Sequence, residues 1–257
     1  MEGPSATIAL VLAETAAGAT ALLWFGRLWG EVRRGFFLLT SAVALACALL
    51  STLSASAATV SGPGEARLAV WLLAATSMIL GLSVSAFVLR LDAAGRVLGV
   101  VAILPGVGSL GALADVAPSF VAASAELLAG AAFLGAVTVG LLLGHWYLTD
   151  RRLSRDHIKR FTVLLLAAVL VEALALAVFG LSGTTEAGQF SVILGVSGLT
   201  TWIALGMVAC TGLIAFLIRA SLRGTSPRAV QGATGFFYLA VITAFTAEMA
   251  AKVGFLG

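Results

Sequence analysis

The amino-acid sequence predicts an all-α, polytopic integral membrane protein, and three observations carry that prediction. Hydrophobic residues fill 60% of the 257 positions and charged residues only 11%, where a soluble domain has roughly 45–50% and 25%. The mean hydropathy is +1.09. The apolar residues also gather into runs of about 20, the length a helix needs to cross about 30 Å of hydrocarbon. Finally, nearly all the cations lie on one side of those runs. This balance excludes a soluble enzyme, a disordered or collagen-like chain and a nucleic-acid-binding module.

Eight runs follow in order, and lipid bilayer is their expected surrounding. The first, 6–26, follows Met1-Glu2-Gly3-Pro4, which has no basic n-region, so a retained span is expected rather than a cleaved signal. The second and third, 35–58 and 67–89, are bounded by Arg33, Arg34, Arg67 and Arg90. The fourth, 96–114, is interrupted by Pro105, Gly106, Gly108 and Gly111, which predicts a kinked or half re-entrant segment. The fifth and sixth, 121–148 and 160–181, enclose the richest polar turn. The seventh, 190–218, ends at Arg219, and the eighth, 229–252, starts after Arg228. Together they take up about 190 of the 257 residues, so no soluble domain fits.

Orientation follows from cation bias. The turns after spans one, three, five and seven hold 13 of the 15 Lys and Arg residues, leaving Arg67 and Lys252 on the other side with Glu2, Glu65, Asp115 and Glu186. Both termini are therefore expected outside and four basic turns in the cytoplasm. Alanine, glycine and arginine usage with only two lysines points to a GC-rich bacterium and hence its inner membrane.

The chain also repeats itself. Ala13-Glu14 corresponds to Ala125-Glu126, Ala86-Phe87-Val88-Leu89-Arg90 to Ala215-Phe216-Leu217-Ile218-Arg219, and Arg96 to Arg228. Two parallel four-helix halves are expected, 1–115 and 116–257, related about an axis along the membrane normal. Gly26/Gly30, Gly95/Gly99 and Gly140/Gly144 have the spacing that lets helices approach closely. Trp24, Trp29 and Trp146 lie near basic ends, where interfacial aromatics sit. Cys47 and Cys210 fall in separate apolar runs, which suits small buried residues and neither a disulfide nor a zinc site.

Ionisable residues inside a bilayer are costly and therefore mark function by default. Glu14 lies about eight residues into span one. Glu172, 12 residues past Arg160, stands ~18 Å up span six, near the midplane. Away from water, a carboxyl's charge must be answered by a proton or a cation, so both suit proton transfer or a cation site. Glu126 lies near the outer start of span five, which fits a proton relay and an interface-exposed carboxylate equally. Glu248 and Lys252, at i and i+4, read as an interfacial ion pair. Gln231, Thr234 and Tyr238 share one face of span eight, either lining a wet crevice or gluing helices together by hydrogen bonds.

The third basic turn runs from Gly144 to Arg160 and holds both histidines, His145 and His157, with Tyr147 and Asp150. Such groups at a membrane boundary bind a quinone head group and exchange its protons. They also suit a plain basic turn on anionic lipid. A haem on these two histidines is disfavoured, because bis-histidine ligands normally come from well inside facing spans. No phosphate loop or catalytic triad is present.

Two functions from different classes follow, beside a non-catalytic scaffold or assembly subunit. One is the membrane subunit of a respiratory or other redox complex. It would have no metal of its own, would meet menaquinone or ubiquinone at His145, Tyr147, Asp150 and His157, and would relay protons through Glu172, Glu14 and Glu126. Its electrons would come from partner subunits. Two four-helix bundles side by side are similar in architecture, though in no motif, to polysulfide-reductase-type membrane subunits, which bind quinone without haem. The other is a secondary transporter with a midplane carboxylate site.

Overall fold

A computed structural model describes residues 4–25, 32–58, 65–150, 153–180, 199–224 and 228–253. It is all-helical, with eight helices long and apolar enough to cross a membrane. They are α1 (Pro4–Phe25), α2 (Arg34–Ala58), α3 (Glu65–Val88), the pair α4 (Asp92–Val101) and α5 (Ile103–Ala114), α6 (Phe120–Thr149), α7 (Asp156–Ala175), α8 (Leu199–Ser221) and α9 (Arg228–Ala251). A π-helical turn, Leu176–Gly180, extends α7.

The fourth run is broken once, at Ala102, and is still long and apolar enough over Asp92–Ala114 to cross a membrane. Pro105 has no N–H to give the Val101 carbonyl, so the helix is interrupted at Ala102. Hydrogen bonds from the Ala102 N–H to the Leu98 carbonyl and from the Gly106 N–H to the Ala102 carbonyl carry the coil across the break. The composite Asp92–Ala114 has 23 residues, about 35 Å at helical rise.

Two helices form the centre. Over their most apolar stretches α1 and α6 are each 78% buried, against 28–44% for the other six spans. Around α1, each helix packs on its successor through α2, α3, α4 and α5, and α5 returns to α1; around α6 the same order runs through α7, α8 and α9, which returns to α6. The outer helices show large apolar side chains to the surroundings even at mid-length, such as Met78, Leu170 and Ile242, each more than 60% exposed. A water-soluble surface rarely carries contiguous patches of this kind.

The closest approach is between α1 and α6. A Cβ on Gly18 would fall on the Ala131 carbonyl oxygen, and one on Gly135 would meet the Gly18 backbone. Small residues here let two backbones touch. The glycine pairs singled out by spacing do something else, since they receive side chains. Gly95 faces the Phe87 ring, Gly99 the Trp24 indole, Gly140 the Phe237 ring and Gly144 the Thr234 hydroxyl. Gly26 and Gly30 lie outside the described residues.

Of the tryptophans expected at the interface, Trp24 is buried and Trp146 half-buried, each packed against other helices. Trp24 stacks between Phe37 and Phe87, at centroid distances of 5.4 and 6.3 Å. Trp146 packs on Gly35 and edge-on to Phe36. The exposed indoles are Trp71 and Trp202, both near the ends of their helices farthest from the arginine-rich turns. Trp29 is outside the described residues. Cys210 is exposed and Cys47 half-buried, so neither is the fully enclosed small residue expected. In the repeat, Phe87 is buried and its counterpart Phe216 is exposed.

Candidate functional site: a buried carboxylate–lysine cluster

Five ionisable side chains from four helices meet inside the bundle: Glu14 of α1, Glu126 of α6, Glu172 of α7, Glu248 of α9 and Lys252 just past its end. Glu14, Glu172 and Glu248 are wholly buried, Lys252 is 1% exposed and Glu126 8%. Lys252 Nζ lies 3.2 Å from Glu14 Oε1 and 3.5 Å from Glu248 Oε2. The carboxyl of Glu172 rests against that of Glu248.

The sequence explains the meeting in steps. Glu248 and Lys252 are one turn apart, so α9 presents both on the side that carries Ala240, Ala244 and Ala247 into the interior. Glu14 is one turn before Gly18, and the tight Gly18 contact draws α1 onto α6 at this level. Gly130 then leaves room: a Cβ there would be 2.6 Å from Glu14 Oε1 and 2.9 Å from Glu248 Oε2. The α6 backbone is thus one wall of the cluster. The Thr7 hydroxyl donates to the Lys252 carbonyl at 3.3 Å, fastening the start of α1 to the end of α9.

Glu248 and Lys252 are therefore not an interfacial pair. Their helix end is enclosed by α1 and α6, so the pair is taken out of water and carries part of a larger group. Desolvating charges is expensive unless they are paired and hydrogen-bonded. Four carboxyls share one ammonium here, and full ionisation would leave an uncompensated charge of about −3. The cluster must therefore hold protons or cations, and its charge state responds to their supply. Among the described residues no three His, Cys, Asp or Glu side chains are arranged to hold a metal ion.

The residues of the third basic turn are spread over different surroundings. Tyr147 is buried and its hydroxyl donates to the Ser154 carbonyl within the turn. Asp150, just past α6, pairs with Arg33 Nε at 3.1 Å. His157 is buried near the start of α7, whereas His145 is exposed on α6, its Nδ1 3.4 Å from the Tyr238 hydroxyl of α9. Arg151 and Arg152 lie outside the described residues.

The polar stripe of α9 does not face inward as a unit. Thr234 is buried and donates to the Val230 carbonyl of its own helix, while Gln231 and Tyr238 are exposed. The three lie at the margin of the buried face, and only Thr234 is turned far enough in. Glu172 and Glu14 are legible in sequence as buried carboxylates. Their union with Glu126, Glu248 and Lys252 is not, because depth along a helix says nothing about which helices adjoin. Comparison with known protein families, with curated proteins and with solved structures yields no match to this chain.

Proposed function

We propose that this is a multi-pass protein of the bacterial inner membrane that works as a proton-coupled secondary transporter, with Glu14, Glu126, Glu172, Glu248 and Lys252 as the coupling site. The observation that carries this reading is the convergence of four carboxyls on one ammonium in the interior of an apolar bundle. Such a group changes net charge with proton supply, which is what coupling a solute to a proton gradient requires. Both termini lie outside and the basic turns in the cytoplasm, supported by the 13-to-2 distribution of Lys and Arg. Two parallel halves, 1–115 and 116–257, are supported by the equal order of packing around α1 and α6. Their rocking would expose the site alternately to the two sides.

The test uses the purified full chain in liposomes that contain a pH-sensitive dye. An imposed proton gradient should dissipate with candidate solutes present, and Glu172→Gln should abolish the response. Proton-tight liposomes across a broad solute panel would sink the reading.

A second reading rests on a separate observation, the Tyr238–His145 pair at the pole of the basic turns. There the protein would be the quinone-interacting subunit of a redox complex, with menaquinone or ubiquinone near His145, Tyr147, Asp150 and His157 and protons passing through the glutamates. Co-purification of redox partner subunits with bound quinone from native membranes would favour it. Unchanged quinone turnover in His145→Ala would remove it.

A further inference from the structure

The members of the cluster are not equivalent. One ammonium, Lys252, stands between Glu14 and Glu248. Glu172 comes next in line, fully buried, and neither of its oxygens receives a donor. Its neighbour Glu248 is another carboxyl. Ionised carboxyl oxygens only accept, so two of them can adjoin away from water only with a proton or a cation between them. A metal cation would need about six oxygens around it. Here α6 closes one side with the Gly130 backbone and Lys252 adds a positive charge on another. A proton needs only the two oxygens.

We propose that Glu172 and Glu248 form a carboxyl dyad sharing one exchangeable proton, and that Lys252 is the mobile counter-charge that answers its release by moving from Glu14 toward the dyad. The proposal deepens the transport reading and depends on that reading only for what the proton drives. When the proton leaves to water or to Glu126, the most exposed of the four carboxyls, the dyad passes from one negative charge to two. The groups facing it are Glu14 from α1, Glu126 from α6 and Lys252 just past α9; the only cation on α8, Arg219, is in its last turn at the opposite pole. Attraction then favours the ammonium beside the dyad over its place at Glu14. The ion pair joining α1 to α9 is lost with that shift, leaving the Thr7 hydrogen bond. Proton occupancy thereby sets how firmly the first helix is held to the last.

The experiment is infrared difference spectroscopy on the full chain in nanodiscs, between acid and alkaline buffer. The wild type should lose a protonated-carboxyl band as pH rises. Glu172→Gln and Glu248→Gln should each abolish that band, whereas Glu14→Gln and Glu126→Gln should keep it. Lys252→Met should retain the proton to higher pH, with at least a tenfold gain in proton affinity. A band that survives Glu172→Gln overturns the proposal, as does one that sodium ions remove at constant pH. Should Glu172→Gln misfold by circular dichroism, Glu248→Gln decides by the same criterion. A dyad band in protein that leaves liposomes proton-tight would defeat the transport reading alone. Active transport without the band would defeat the dyad alone.

Discussion

Replacing Gly18 with alanine tests the contact on which the whole bundle closes. The new Cβ would land on the Ala131 carbonyl oxygen and lie 3.2 Å from Ala131 Cα. Opposite it, Gly135 is so placed that its own Cβ would be 2.6 Å from the Gly18 oxygen and 2.8 Å from Gly18 Cα, so the helix has no slack to slide into. Ordinary contact begins at 3.4 Å. The obstacle is backbone, and alanine has no rotamer to turn, so α1 and α6 must part. Overpacking costs typically 1–3 kcal/mol, and backbone on both sides argues for the upper end. The gain in helix propensity returns at most about 1 kcal/mol. A net loss of about 2 kcal/mol is expected. Gly81→Ala on α3 is the control, with no atom within 4 Å of its Cβ, and should be neutral or stabilising. Unfolding titrations in mixed micelles measure both. Equal stability of the two variants, within about 0.5 kcal/mol, would refute the packing at the centre of the fold.

Gly130→Ala meets the flexible ends of Glu14 and Glu248 instead of backbone, so these carboxyls yield. Stability should change by less than about 1.5 kcal/mol while proton uptake in liposomes falls clearly. Lys252→Met removes the cation between two buried carboxylates, and stranding buried charge costs about 3–5 kcal/mol. Protonation discharges the stranded groups, so the stability deficit relative to wild type should shrink as pH falls. A deficit independent of pH would contradict the ion pairing. Arg90 ends α3 with φ of 64°, and the Leu91 N–H bonds back to the Ala86 carbonyl at 2.8 Å, a turn that favours glycine. Arg90→Gly should therefore stabilise by about 0.5–1 kcal/mol, read as a rise in the thermal midpoint.

Over the described residues, seven of the eight runs are legible in the sequence as helices, because hydrocarbon thickness imposes one length and unmatched backbone groups impose one conformation; 190–198 of the seventh lie outside the described residues. The break in the fourth is legible from Pro105. The arrangement of the helices is not. Gly140 and Gly144 have the same spacing as a close backbone contact, yet they accept Phe237 and Thr234, because bulky side chains happen to face them. The decisive contact at Gly18 and Gly135 is visible only once α1 and α6 are known to be neighbours. The same holds for Lys252, whose place four residues after Glu248 and near a helix end suggests an interface. Enclosure by α1 and α6 makes it the counter-charge of the interior.

Among the described residues, two ion pairs that join residues 1–115 to residues 116–257, one toward each pole, are unequal. Arg33 and Asp150 pair with the arginine 75% exposed, so water screens them and the contact is worth at most about 1 kcal/mol. Glu14 and Lys252 are both without solvent exposure, and rupture there leaves charge stranded unless another buried partner answers it. In the proposed rocking motion, parting is therefore cheap at the basic pole and expensive at the other, and the cost at the costly pole falls when the dyad releases its proton and draws Lys252 away from Glu14. Arg33→Gln should leave proton-driven transport within about twofold of wild type. Glu14→Gln, which frees Lys252 of its partner across the halves, should leave the proton bound by the dyad but uncouple its movement from that of the solute. Tight coupling in Glu14→Gln, measured as an unchanged proton-to-solute ratio in liposomes, would show that the α1–α9 ion pair is only structural.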